Sequence, residues 1–250
     1  MFESVLEKAP KSRRDAVSEA LQALNEEVLK GVPKWDKNVI RSLDRLVEEI
    51  DRKLSEQLAA IMHHSDFQKL EGSWRGLHHL VMNSETGTTL KINVLNASKD
   101  DLKKDMEQAV EFDQSRLFKQ VHEEEFGTPG GEPYGALIGD FEFENHPEDI
   151  ALLEELANVG SASHCPFISA ASPKLFNPDW ESFEELAKPR DLAKMFDSVE
   201  YAQWNSFRDS EAARYAVLTM PRTLARLPYG EKTKKVDAFK YEEVDDSKQV

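Results

Sequence analysis

Asp140, Glu142 and Glu144 alternate with Phe141 and Phe143, which puts three carboxylates on one face of an extended segment. At the end of a parallel strand, where open α/β sheets bind ligands, such a set suits a divalent metal or a nucleotide held through magnesium. The competing reading is an acidic strand end turned to water beside an apolar face, and no convergent Lys, Arg or His motif accompanies the carboxylates. Other candidates fail on spacing. Gly230-Glu231-Lys232-Thr233 lacks the glycine that a phosphate-binding loop places directly before its lysine. On one continuous helix His64 and His78 would lie about 21 Å apart at about 1.5 Å per residue, so His63, His64, His78 and His79 form no single metal site there. A hairpin would bring them closer, but the tight ligand spacing of zinc sites is missing. Cys165, after His164, opens an apolar strand, the place of an inert core thiol rather than a nucleophile. No catalytic constellation emerges, and no cofactor is implied.

The elements that must position these residues are polar overall. The 250 residues carry 32 basic and 47 acidic side chains, a formal charge of -15 that repels phosphate backbones and anionic lipid heads. Nucleic acid is therefore excluded as a natural partner. The single cysteine forms no internal disulfide and suits a reducing cytoplasm. No apolar run is long enough to span a bilayer, and the start has no basic-then-apolar leader, so a cytoplasmic protein without membrane insertion is expected.

Spacing of apolar residues predicts the organisation. Val17, Leu21, Leu24 and Val28 mark an amphipathic helix ending before Gly31 and Pro33. Asp36 caps a second, in which Val39, Leu43, Leu46, Ile50, Leu54, Leu58 and Ile61 keep a three-or-four spacing. A third runs from Ser65 or Asp66, with Phe67, Leu70, Trp74, Leu77 and Val81 on one stripe, and stops near Asn83. These helices form a hairpin or a protruding arm whose stripes meet each other or another chain. The alternating Leu90, Ile92 and Val94 then predict a strand, Ser98 caps a helix, and another helix covers Ser115 to Phe126. Tyr134 to Phe143 reads as a strand, Pro147 starts a helix, and Pro166 to Ala170 supplies the next strand, a βαβ crossover with parallel pairing. Short helices cover Trp180 to Ala187, Arg190 to Phe196 and Tyr201 to Arg208, and Arg214 to Met220 is a last strand. The fold class is α/β, with α+β open: a helical arm followed by a mixed sheet, covering helices and at least one βαβ unit. Residues 1–83 form the helical region, 84–230 an α/β body with strands still to come, and 231–250 a charged, poorly ordered stretch.

Several blocks of sequence resemble one family. Phe67-Gln68-Lys69-Leu70-Glu71-Gly72-Ser73-Trp74-Arg75-Gly76-Leu77-His78 with Leu90 to Asn96, then Gly130 to Gly135, Ala187 to Leu192, Met220-Pro221-Arg222 and Leu224 to Gly230 occur in the order seen in the large subunit of the type VI secretion contractile sheath, the TssC/VipB family. The resemblance runs from about Trp35 to about Gly230 and implies an N-terminal half, since family members are about twice as long. It implies a bacterial structural subunit rather than an enzyme. The resemblance further implies that such a subunit pairs with a small TssB/VipA-like subunit, stacks with other sheath subunits around an Hcp-like inner tube on a baseplate, and contracts to drive the tube outward. The stripe Val39, Leu43, Leu46, Ile50, Leu54 and Leu58 is the expected partner surface. Phe2, Val5 and Leu6 are the expected remnant of the helix that a ClpV-type AAA+ ATPase grips during disassembly.

Overall fold

The computed structural model describes residues 39–187, 191 and 193–243, with side chains from residue 44 onward except Leu46 and Ala193. The helix expected over Ser12 to Leu29 lies outside them. Two units divide the chain, one formed by residues up to Leu80 together with those from Leu224, the other by Val81–Thr223.

In the first unit α1 (Val39–Met62) and α2 (Ser65–Met82) are separated by His63 and His64 alone. Across that break the His63 N–H donates to Ala59 O and the Gln68 N–H to His64 O, both at 2.9 Å, so the junction leaves these amides paired. The α2 bounds match the predicted helix. Its apolar stripe, however, is left largely open: no residue of α2 is buried, and among the described α1 side chains only Met62 is. Leu54 is 45% exposed and Trp74 is 64% exposed, with Ile61 and Leu70 similar. Charged residues fill the rest of α1, where Arg52 bridges Glu49 and Glu56 at 2.5 Å each.

The second unit contains a three-stranded sheet in the order β1 (Leu137–Phe143), β2 (Phe167–Ala171), β3 (Ala216–Thr219), both pairings parallel. The sequence expects a mixed sheet; no antiparallel pair occurs among the described residues. The predicted β–α–β crossover is present, because α5 (Pro147–Ala162) connects β1 to β2, and Pro147 stands in its first turn with the His146 ring accepting from the Glu148 N–H at 3.4 Å. Before the sheet come α3 (Lys99–Gln108) and α4 (Arg116–Phe118), the latter passing into a π-helical stretch over Lys119–Phe126. After β2, short 3₁₀ turns lead to α6 (Ala202–Asp209). Ser98 and Asp101 form the reciprocal capping pair at the start of α3, at 3.1 and 3.0 Å.

The expected strand from Leu90 to Leu95 is not formed. Alternation creates a two-faced segment, but a ladder needs a neighbouring edge, and Leu90, Val94 and Leu95 are exposed with none.

The core lies between α5 and one sheet face. Leu153, Leu156, Ala157 and Val159 of α5 are buried with Phe143, Phe167 and Ala171, and Leu117, Phe118 and Val121 close the side. Gly160 is required here: a Cβ would stand 2.5 Å from the Cys165 carbonyl. Register slips between Ile138 and Glu142, and there the buried Ser169 hydroxyl reaches the Gly139 and Phe141 carbonyls at 3.0 and 2.6 Å, replacing lost ladder bonds. The other sheet face is open, with Ile138 63% exposed and Val217 also exposed.

Candidate assembly surface

The acidic strand end does not gather a metal. Both oxygens of Glu142 are taken by Arg222, at 2.6 Å from Nε and from Nη2, and Asp140 points out among solvent-exposed residues. Among the described residues no three His, Cys, Asp or Glu side chains converge as a metal site. Of the four histidines, His63 lies 3.5 Å from Glu243 and His64 3.8 Å from Asp66, and among the described residues they join no metal-ligand cluster. Cys165 is fully buried, and burial pushes its thiol up, away from the reactive thiolate.

Charge concentrates instead in the first unit. Arg226 is clamped between Glu71 of α2 and Glu243: its Nε lies 2.6 Å from Glu71, and its Nη1 and Nη2 lie 2.6 and 2.8 Å from Glu243. The Glu243 side chain is 6% exposed and that of Arg226 16%. Arg75, one turn along α2, donates to Glu71 at 2.8 Å and to the Tyr229 hydroxyl at 3.3 Å. Tyr229 donates its N–H to Glu243 at 2.7 Å and lies under the Arg226 guanidinium at 4.6 Å. Farther on, the buried Tyr241 donates its hydroxyl to Met62 Sδ at 3.5 Å. Every charge here has partners of opposite sign or backbone donors, the condition for burying it at all. The Arg226 hydrogen bonds hold the Glu71 and Glu243 carboxyls below the usual carboxylate range. The segment 224–243 is thereby fastened to the helices, and an apolar helix face beside it stays uncovered.

Arg226 and Tyr229 lie in the block Leu224 to Gly230 singled out in the sequence, whereas Glu243 lies in a charged stretch without periodicity. The available signal was the Phe239, Tyr241 alternation beside it, whose rings lie 5.8 Å apart. Of the expected partner stripe, Leu54 is exposed and Ile50 and Leu58 are half-buried, while the side chains of Val39, Leu43 and Leu46 lie outside the described residues. Phe2, Val5 and Leu6 lie outside them as well.

Residues 44–250 match the family model of VipB, described as EvpB/VC_A0108, tail sheath N-terminal domain. The chain belongs to the VipB tail-sheath family. It is 49% identical over 235 residues to the type VI secretion system sheath protein TssC1 of Pseudomonas aeruginosa, a match covering 93% of this chain and 47% of that protein. The chain thus spans about half the length of the curated relative it matches. Within the VipB domain fall Ile50, Leu54 and Leu58 and the whole Glu71–Arg226–Glu243 cluster; Val39, Leu43, Phe2, Val5 and Leu6 precede it.

Proposed function

We propose that this chain is the N-terminal half of the large subunit of a type VI secretion contractile sheath, a structural component of the bacterial cytoplasm that performs no bond chemistry. It pairs with a small TssB/VipA-like subunit, and the pairs stack into a helical tubule around an Hcp-like tube above a baseplate. Contraction of that lattice pushes the tube outward, and a ClpV-type ATPase recycles the subunits, with Phe2, Val5 and Leu6 in its recognition helix. VipB-family membership and the TssC1 relative support this reading, and no described helix is long and apolar enough to cross a membrane.

The observation that carries the pairing is the bare apolar stripe on α1 and α2. Isolated exposed leucines mean little, but Leu54, Ile61, Leu70 and Trp74 recur along two successive amphipathic helices and are all exposed. Burying each such side chain fully contributes about 1.5–3 kcal/mol, enough together to hold a subunit pair by laying a helix face into a groove. In the sequence the same spacing runs from Val39, Leu43, Leu46 and Ile50 through Leu54 and Leu58. Leu54→Glu is therefore expected to abolish co-purification with the small sheath subunit while leaving the melting temperature of the free chain unchanged, since position 54 is exposed in it. Unchanged recovery of the pair would remove the stripe from the interface.

A further inference from the structure

A cleft of about 600 Å³ in the second unit opens between the 176–180 turn and the 195–201 turn. Phe176, Trp180, Tyr201 and Met195 line part of it, beside polar residues. Its lip carries two carboxylates, Asp179 and Glu200. From these residues and the charge around them we propose that the cleft receives a lysine or arginine side chain of a neighbouring sheath subunit. The proposal rests on the sheath reading for its partner and on the cleft's own chemistry for the kind of side chain.

Three observations point to a cation. Aromatic faces attract positive charge through their quadrupoles, and flanking carboxylates add direct attraction. Neither Asp179 nor Glu200 forms an ion pair among the described residues, whereas Glu142, Glu148 and Asp149 of the same unit all do. The same aromatic cluster already holds one cation, since the Arg208 guanidinium lies 5.3 Å above the Phe196 ring, itself 5.9 Å from Phe176 and 5.2 Å from Tyr201.

The walls are braced rather than collapsible. Tyr201, buried, donates its hydroxyl to the Phe176 carbonyl, and Asn205 donates to the Phe196 carbonyl at 2.6 Å. Asn177 accepts the Asp179 N–H at 2.9 Å and its carbonyl accepts the Trp180 N–H at 3.0 Å, fixing the acidic lip. Asn145 donates to the Glu200 carbonyl at 3.2 Å and fixes the other. Beside Glu200, Val199 is 90% exposed. An apolar side chain this bare at the rim fits the footprint of a polypeptide better than that of a free amine, because a polypeptide would cover it.

The test uses the chain extended to the length of its relatives and co-expressed with the small sheath subunit, with pelletable tubule measured against subunit concentration and salt. Asp179→Asn with Glu200→Gln removes the charge from exposed positions, and Trp180→Leu removes a wall while keeping the charge. Both variants are expected to need roughly tenfold more protein to assemble and to dissolve at lower salt, with unchanged melting temperatures in the unassembled state. Assembly like the unsubstituted protein in both variants would overturn the cleft. A loss confined to the double carboxylate variant would reduce it to diffuse surface charge, and a loss confined to Trp180→Leu would reduce it to packing; either overturns a cation site. If the unsubstituted pair forms no tubules, the sheath reading falls and takes this occupant with it.

Discussion

Arg226→Ala is expected to loosen the first unit by about 3 kcal/mol, the low end of what breaking a buried charge pair costs. The guanidinium makes two bonds to each of two carboxylates, counting contacts of 2.6 and 3.2 Å to Glu71 and of 2.6 and 2.8 Å to Glu243. Without it Glu243, nearly sealed from water, keeps only the Tyr229 N–H and a His63 nitrogen at 3.5 Å. Glu71 keeps Arg75. The loss should be local, so hydrogen exchange reads it best: amides from Tyr229 to Glu243 should exchange roughly a hundredfold faster, while α5 is unaffected. Arg222→Ala is the control. Its bond to Glu142 has the same bidentate form but an arginine side chain 64% exposed, and such pairs contribute at most about 1 kcal/mol. Equal effects from the two substitutions would show that burial does not set the strength of these pairs.

The same cluster gives a pH dependence of fixed sign. Glu71 and Glu243 titrate below their unfolded value of about 4.3, so their contribution is present above that pH and is lost as pH falls through the lower folded values. Arg226→Ala, having removed the first cause of both shifts, should flatten that acid loss.

Phe143→Ala is the second large effect, about 3–5 kcal/mol and a fall in melting temperature on the order of 10 °C. Phe143 is 1% exposed at the end of β1, with its ring 5.7 Å from Phe141 and 6.1 Å from Phe167. Lys99 Nζ sits 4.7 Å above it while bonding Asp149 at 2.5 Å, so the ring also forms the floor of an ion pair. Truncation leaves a cavity that the strand and α5 fill only in part. Ile138→Ala, on the open face of the same strand, should change stability by well under 1 kcal/mol. Scanning calorimetry of the two variants measures which sheet face is core; similar losses would mean that both are.

What the sequence shows depends on whether a residue's partner is near in the chain. Helix α2, the Ser98 cap and Pro147 at the start of α5 follow from local spacing and capping chemistry, and the structure has each where it is expected. The βαβ unit is legible because apolar runs flank a helix of crossover length. That Leu90–Leu95 forms no strand is not legible, because alternation reports two faces and says nothing about whether an edge is present to pair with. The acidic strand end misleads for a related reason: Arg222 lies 80 residues beyond Glu142, and spacing arguments see no such partner. Glu243, 172 residues from the Glu71 with which it shares Arg226, is hidden in the same way.

The measurement that tests the central claim most directly is negative-stain microscopy and size exclusion of the chain co-expressed with a small sheath subunit, as 250 residues and extended to the length of its relatives. Tubules from the extended pair, and a soluble heterodimer from the 250-residue form, are the predicted result and would place the pairing surface in this half. A monodisperse monomer that ignores the small subunit at both lengths would contradict it.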